Sequence, residues 1–282
     1  MKDKILLFIP AYNCEKQIVR VLGQLDESVM KYITEVVVIN NISTDNTQQA
    51  VERFIERHPD IPVKLLCNDE NYGLGGSHKC AFAYAKKQKF DYVIVLHGDD
   101  QGDIHNLLPV LRKKIYQKYD CCLGARFMNG SKLKGYSKFR SFGNVVYNLL
   151  FSMVTRQRVL DLGSGLNMYC VDRLKDEFYK KFPDNLMFNY CMILAADYYK
   201  HKICFFPITW REDDQVSNVK MFHQAVTVLK MLFSYWIAPK EFIYSECRER
   251  PIDDYTFAVI AESRILGEMR YFEGTKQLQN LT

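Results

Sequence analysis

The segment VIVLHGDDQGD (93–103) runs as a buried strand to His97 and then gathers Asp99, Asp100, Gln101 and Asp103 within a few positions. Oxygen ligands from aspartate and an amide, placed where a strand ends, suit a hard divalent cation such as Mg²⁺ or Mn²⁺. Magnesium is usually held by one or two carboxylates, with waters and substrate phosphates in the other positions, so such a site implies a phosphorylated ligand. Asp103 reads better as the N-cap of the following helix. Asp99 and Gln101 are the metal candidates, although a plain polar turn explains them equally well when they are taken alone.

Three further clusters follow apolar runs. PAYNCEKQI brings Tyr12 to a strand end where an aromatic face could meet a base, though a core tyrosine is the commoner fate. NNISTDNT ends a strand with Asn40 and Asn41, amides able to read a base or ribose, and caps a helix through Ser43, Thr44 or Asp45. NYGLGGSHK gives a flexible turn feeding a helix N-terminus, a natural anion site. It matches neither G-x-x-x-x-G-K-[ST] nor G-x-G-x-x-G. Four polar loops at one sheet edge carry more weight than any one.

Such loops need strands that end side by side. ILLFI (5–9), EVVVIN (35–40), VKLL (63–66), YVIVLH (92–97) and DCCLGA (120–125) read as strands, with helical patterns near 15–27, 44–57, 76–88 and 104–117. That alternation predicts an α/β fold: a mostly parallel sheet, mixed at its edge, with helices on both faces. Ligands bind such sheets outside the carboxyl ends of the strands, where the four clusters fall. From about residue 126 the rhythm changes. RSFGNVVYNLLFSMVT (140–155) and KMFHQAVTVLKMLFSYWI (220–237) are amphipathic helices. Val145, Val146, Leu149, Leu150, Met153 and Val154 share a face of the first. Phe222, Ala225, Val226, Leu229, Phe233, Trp236 and Ile237 share one of the second, opposite His223, Thr227, Lys230 and Ser234. Packing on the sheet or on a second subunit is the plain role for these faces. Without a Pro/Gly linker, one continuous domain over 1–218 is expected, carrying a helical C-terminal extension with a polar tail over 219–282.

Composition narrows the setting. A chain of 282 residues, 48% apolar, can bury a sizeable core. Nine cysteines without a C-x-x-C argue for a reducing compartment and against disulfides or zinc. The opening MKDKILLFIP is too short for a signal peptide, and no window of ~18 apolar residues would span a membrane, so the cytosol is the default. A net charge of +5 suits a polyanionic small ligand, an anionic membrane or nucleic acid and selects none of them. The basic residues are spread rather than striped, which disfavours nucleic acid.

The ordered set IPAYNCEKQI, VVVINNISTDNT, NYGLGGSHKCAFAYA, VLHGDDQGD, LGARF, DLGSGLNMY and WREDDQVSN resembles the inverting glycosyltransferases of family 2, which have the GT-A nucleotide-sugar-binding fold. The later pieces are similar to the branch containing dolichyl-phosphate mannosyltransferase and bacterial polyprenyl-phosphate glycosyltransferases. The resemblance implies that the family's Asp-x-Asp turn falls on His97, Gly98 and Asp99, with Asp99 on a donor-bridging metal and Gln101 as a further ligand. His97 replaces the usual first acid, and imidazole can still coordinate Mn²⁺ or hold a metal-bound water. Pro10, Tyr12, Glu15, Asn40, Asn41, Gly73 and Lys79 fall on the nucleotide pocket, and Asn40–Asn41 replace its usual acidic pair. Arg126, Arg140 and Arg211 fall on phosphate-binding positions, where guanidinium forks fit the chemistry. Ser164 and Gly165 line the site; Ser217 keeps the family's loop residue, while Asn218 replaces its lysine.

The implied reaction moves a sugar from a UDP- or GDP-sugar to a lipid phosphate or a glycan in cell-envelope polysaccharide or glycolipid synthesis. A hydroxyl acceptor normally needs a carboxylate base. NLMFNYCMILAA (185–196) has none, which favours a lipid phosphate, although Asp161 or Asp184 could fold in as a base. Two other readings stand: a non-catalytic nucleotide-sugar-binding module, and a nucleotidyltransferase, whose G-x-G-[ST] signature the first loop lacks. The helices 140–155 and 220–237 could serve a homodimer, or a peripheral contact with the inner face of the cell membrane.

Overall fold

A computed structural model describes residues 2–212 and 221–268. Its strands are β1 (Ile5–Ala11), β2 (Glu35–Asn40), β3 (Val63–Asn68), β4 (Tyr92–Leu96), β5 (Cys121–Ala125), β6 (Lys132–Lys134), β7 (Leu166–Cys170), β8 (Ile203–Pro207), β9 (Thr209–Arg211) and β10 (Phe257–Glu262). Its helices are α1 (Glu15–Leu22), α2 (Glu27–Met30), α3 (Thr47–Arg57), α4 (Gly73–Lys87), α5 (Leu108–Arg112), α6 (Lys138–Thr155), α7 (Phe188–Tyr198), α8 (Met221–Ile237) and α9 (Pro239–Tyr244).

An eight-stranded sheet runs in the order β10-β3-β2-β1-β4-β7-β5-β8, and β6 pairs with β9 in a small second sheet. β1 to β4 are parallel, which brings the loops after Ala11, Asn40, Asn68 and Leu96 to one edge. β7 is antiparallel to both β4 and β5, and β10 is antiparallel to β3, so the sheet is mixed away from its centre. Every residue of β1 is buried because both faces are covered. Leu6 and Phe8 pack with α4 and α7, whereas Leu7 and Ile9 pack with α1, α3 and α5. The helices and strands expected before residue 126 are all present, most with ends displaced by a few residues.

Residues 219–282, expected as a helical extension, contain α8 and α9 and also return β10 to the sheet edge. The two amphipathic helices differ from the expectation that their apolar faces pack on the sheet. On α6, Phe139 (73% exposed), Phe142 (70%), Val145, Leu149 and Met153 face outward. On α8, Val228, Leu232 and Tyr235 are buried, while Leu229, Phe233 (58% exposed), Trp236 (63%) and Ile237 are not. Most of the apolar face expected to pack therefore lies at the surface, although Leu150 and Val154 of α6 pack against the core, and α6 and α8 are in contact. Among the described residues no helix is long and apolar enough to cross a membrane. All nine cysteines are free.

Candidate active site

The carboxylate turn is built by close approach. Gly98 N donates to Pro10 O at 3.0 Å, and a Cβ at Gly98 would stand 2.8 Å from that oxygen, so only glycine lets the turn cross the end of β1. Asp100 follows with φ 61°, a left-handed conformation unusual for a side-chain-bearing residue. Its carboxylate is buried and ion-paired with Arg20 and Arg211. Arg211 also donates from Nε to Asp100 O at 2.7 Å and from its main chain to Gln101 O at 3.0 Å. β9 thereby pins the turn to a fixed shape.

Asp99 is left half-buried, its Oδ1 accepting from Gln101 N at 3.2 Å. Burial pushes its carboxyl up to about 6; the Gln101 N–H opposes that, and the neighbouring Asp100 charge adds to it. His97 turns the other way. A Cβ on Gly165 would meet its Cγ at 2.7 Å, and its ring stands edge-on to that of His78 at 6.1 Å. The Nε2 atoms of both histidines are buried without a partner. Burial, then the nearby Arg126 charge, lowers His97 to about 4, so it is neutral at physiological pH.

Arg126 and Arg211 lie at this turn, and each of the three predicted arginines already holds an acid. Arg126 forks onto Asp161 through Nε and Nη2 at 2.8 Å each and lies over the Trp210 ring at 5.1 Å. Burial works against its charge, but the Asp161 pairing more than offsets this and holds its pKa above the usual arginine range. Arg140 donates to Glu212 at 2.6 Å and lies over Tyr136 at 4.8 Å. Ser164 is buried behind the turn, 3.3 Å from Leu166 O.

The nucleotide-side loops interlock. Asn46 N and Nδ2 both donate to Glu15, Asn13 accepts from Thr44 N, and Asp45 accepts from Thr47 N, so the helix cap is shared by two loops. Tyr12 is half exposed beside them. Asn40 and Asn41 are buried: Asn40 Oδ1 accepts from Ser43 N, while Asn41 accepts from Tyr72 N and donates to Asn71. Both amides hold loops in shape. The glycine turn proves to be a packing device. Cβ atoms at Gly73 and Gly75 would come within 2.4 Å of the Asp184 and Pro183 carbonyl oxygens, and Gly75 N donates to Asp184 O at 2.7 Å. Its helix N-terminus thus serves a neighbouring loop. Lys79, expected near a nucleotide, is buried and donates to Asp184 at 2.6 Å, Phe182 O at 2.5 Å and Tyr255 at 3.0 Å. Ser217 and Asn218 lie outside the described residues.

Among the described residues no three His, Cys, Asp or Glu side chains form a metal cage. A half-buried carboxylate beside an amide does fit a cation whose other positions are filled by a diphosphate. His97, turned toward Gly165 and His78, is not disposed like Asp99.

A profile of Glycosyl transferase family 2 matches residues 7–178. The chain belongs to this family. A dolichyl-phosphate beta-glucosyltransferase of Trichomonas vaginalis is 24% identical over 248 residues, 82% of this chain and 73% of its own. A UDP-N-acetylglucosamine–dolichyl-phosphate N-acetylglucosaminyltransferase of Methanococcus voltae is 23% identical over 186 residues, 62% and 73% of the two chains. Among solved structures, glucosyl-3-phosphoglycerate synthase of Mycobacterium tuberculosis in complex with Mn²⁺, UDP and product aligns with a TM-score of 0.59 at 14% identity, covering 95% of this chain and 92% of that one. The fold of this family 2 glycosyltransferase is therefore GT-A.

Sequence reasoning missed the Arg20–Asp100–Arg211 clamp and the locking of Asp161 and Asp184. Arg20 and Asp100 are 80 positions apart, and no local pattern pairs residues at such distances.

Proposed function

We propose that this glycosyltransferase moves a sugar from a UDP- or GDP-sugar to a lipid-linked phosphate. One observation carries the choice of acceptor. Asp161 is forked onto Arg126, Asp184 is bonded to Lys79 and Tyr255, and the start of α7 holds Asn189 and Cys191 instead of an acid. The two carboxylates considered as bases are thus committed to ion pairs. A hydroxyl acceptor would need a base, whereas a phosphate is already ionised at neutral pH.

In the reaction an acceptor phosphate oxygen forms a bond to the anomeric carbon as the bond to the donor diphosphate breaks, and the electron pair leaves on the diphosphate. Asp99 and Gln101 would hold Mg²⁺ or Mn²⁺, which supplies positive charge to the departing diphosphate when bound. Arg126 holds further positive charge near Asp99, Arg140 would add to it as the family resemblance implies, and Arg211 keeps the turn rigid through Asp100. Pro10, Tyr12, Glu15, Asn40, Asn41, Gly73 and Gly98 shape the nucleotide side, and Ser164 backs the sugar side.

The outward faces of α6 and α8 suit an enzyme resting on the cytoplasmic leaflet. They expose Phe142, Phe233 and Trp236, with Lys138 at the start of α6 and no acid in 138–155 or 225–237. The test of function is transfer from a panel of UDP- and GDP-sugars, with Mn²⁺, to a short-chain polyprenyl phosphate and to the matching polyprenol. Transfer to the phosphate alone is expected. Transfer to the alcohol would overturn the base-free reading, and donor binding with no transfer would favour a non-catalytic module, the reading that His97 in place of an acid supports.

A further inference from the structure

Beside the glycine turn lies a cavity of about 600 Å³ that the proposed reaction leaves unused. Its walls come from Asn71–Gly73, the loop 183–187, one side of α8 and residues 247–252. The floor is apolar, with Met187, Met231, Phe242 and Ile252. Thioether side chains adapt well to irregular chains. The rim is polar and carries Lys230, Arg250, Ser234 and Glu249. Asp184 also faces the cavity, but its charge is matched by Lys79. Among the described residues the exposed Arg250 is ion-paired with Glu70 at 2.7 Å, a pair that costs little to release.

α8 has three faces in this arrangement. Val228, Leu232 and Tyr235 are buried, Leu229, Phe233 and Trp236 point outward, and Lys230, Met231 and Ser234 line the cavity. The polar side of α8, with Thr227, Lys230 and Ser234, is therefore a pocket wall. The cavity also shares a wall with the nucleotide loops, because Asn41 donates to Asn71 at 2.7 Å and accepts from Tyr72 N at 2.9 Å.

We propose that this cavity is a binding site for a single-chain amphiphilic phosphate. The hydrocarbon lies on Met187, Met231, Phe242 and Ile252, and the phosphate sits between Lys230 and Arg250. The volume falls within the few hundred to ~1,000 Å³ of small-molecule sites. An apolar floor under a cationic rim calls for a ligand with the same division. The inference rests on the proposed function only in favouring phosphate as the head group.

Calorimetry on the full chain, without donor, compares inorganic phosphate, decanol and decyl phosphate below its micelle concentration. Decyl phosphate should bind at least tenfold tighter than either part alone, and each pair of methylenes removed should weaken it by roughly tenfold. Met231→Trp, which fills the floor, and Lys230→Glu should each abolish this binding, with unchanged thermal unfolding confirming the fold. Glu249→Gln should tighten it by removing a like charge. Equal affinity for the three probes, or unchanged binding in both Met231→Trp and Lys230→Glu, overturns the site. Weaker binding in Glu249→Gln makes the head group a cation and overturns the phosphate. Binding to phosphatidate vesicles but not to decyl phosphate assigns the effect to a bilayer surface and also overturns the cavity. The transfer assay on Lys230→Glu separates this proposal from the function. Loss of both binding and transfer supports the cavity as the acceptor's site, and loss of binding with full transfer supports a distinct ligand. Binding by the unmodified protein that transfers nothing overturns the function and leaves the site standing.

Discussion

Replacing Asp99 by Asn should stabilise the metal-free protein above pH 6 and leave it unchanged near pH 4. The folded carboxyl is raised from an ordinary 3.8 to about 6, first by burial and then by Asp100. Below the unfolded pKa the group is neutral in both states and costs nothing. As pH rises toward the folded value, the unfolded chain releases its proton first, and stability is lost until both states are ionised. Raising the carboxyl from 3.8 to about 6 corresponds to about 3 kcal/mol. Asn keeps the acceptor for Gln101 N and removes the buried charge, so Asp99→Asn should recover most of that amount at pH 8. The expected gain in Tm is roughly 6–10 °C. Differential scanning fluorimetry of both proteins from pH 4 to pH 8, in chelator, reads the difference directly. A gain of equal size at pH 4 and pH 8 would refute a titrating cause, and a loss at pH 8 would show that the Asp99 charge is satisfied within the protein. Mn²⁺ with UDP should then stabilise the wild type and not Asp99→Asn, since the same carboxylate is the proposed ligand.

Other perturbations test the frame around the site. Asp161→Ala strands the buried Arg126 charge and should cost about 3–5 kcal/mol in urea unfolding. Gly75→Ala places a Cβ 2.4 Å from Pro183 O and should cost about 1–3 kcal/mol, whereas Gly143→Ala, with nothing within 4 Å, should add about 0.5–1 kcal/mol. Arg140→Ala should reduce turnover at least tenfold while Arg264→Ala, at an exposed pair far along the chain, leaves it unchanged; equal kinetics in the two would remove Arg140 from the site. Phe233→Ser with Trp236→Ser should release the protein from anionic vesicles in flotation without lowering Tm, because both side chains are already exposed.

The central strands were legible in the sequence because a strand buried on both faces must be apolar along its whole length, and β1 to β5 are short runs of that kind. The alternation with helices then placed four polar loops at one edge, and the order of those loops carried the family. Asp103 as a helix cap was equally local, its side chain accepting from His105 N two residues on. What depended on distant partners was not legible. β7 and β10 run antiparallel to strands far away in sequence, and Lys79 reads as a nucleotide-pocket residue until Asp184 is seen against it. The outward faces of α6 and α8 follow from the same limit. Periodicity shows that a helix has an apolar side, since that depends only on 3.6 residues per turn. Which side meets the core depends on neighbours that periodicity does not contain. The tertiary structure decided that Val228, Leu232 and Tyr235 face inward and Phe233 and Trp236 face out. It also decided that Asp161 and Asp184 are held by cations, because an ion pair needs two charges at one place, and residues 35 or 105 positions apart meet only when the sheet is folded.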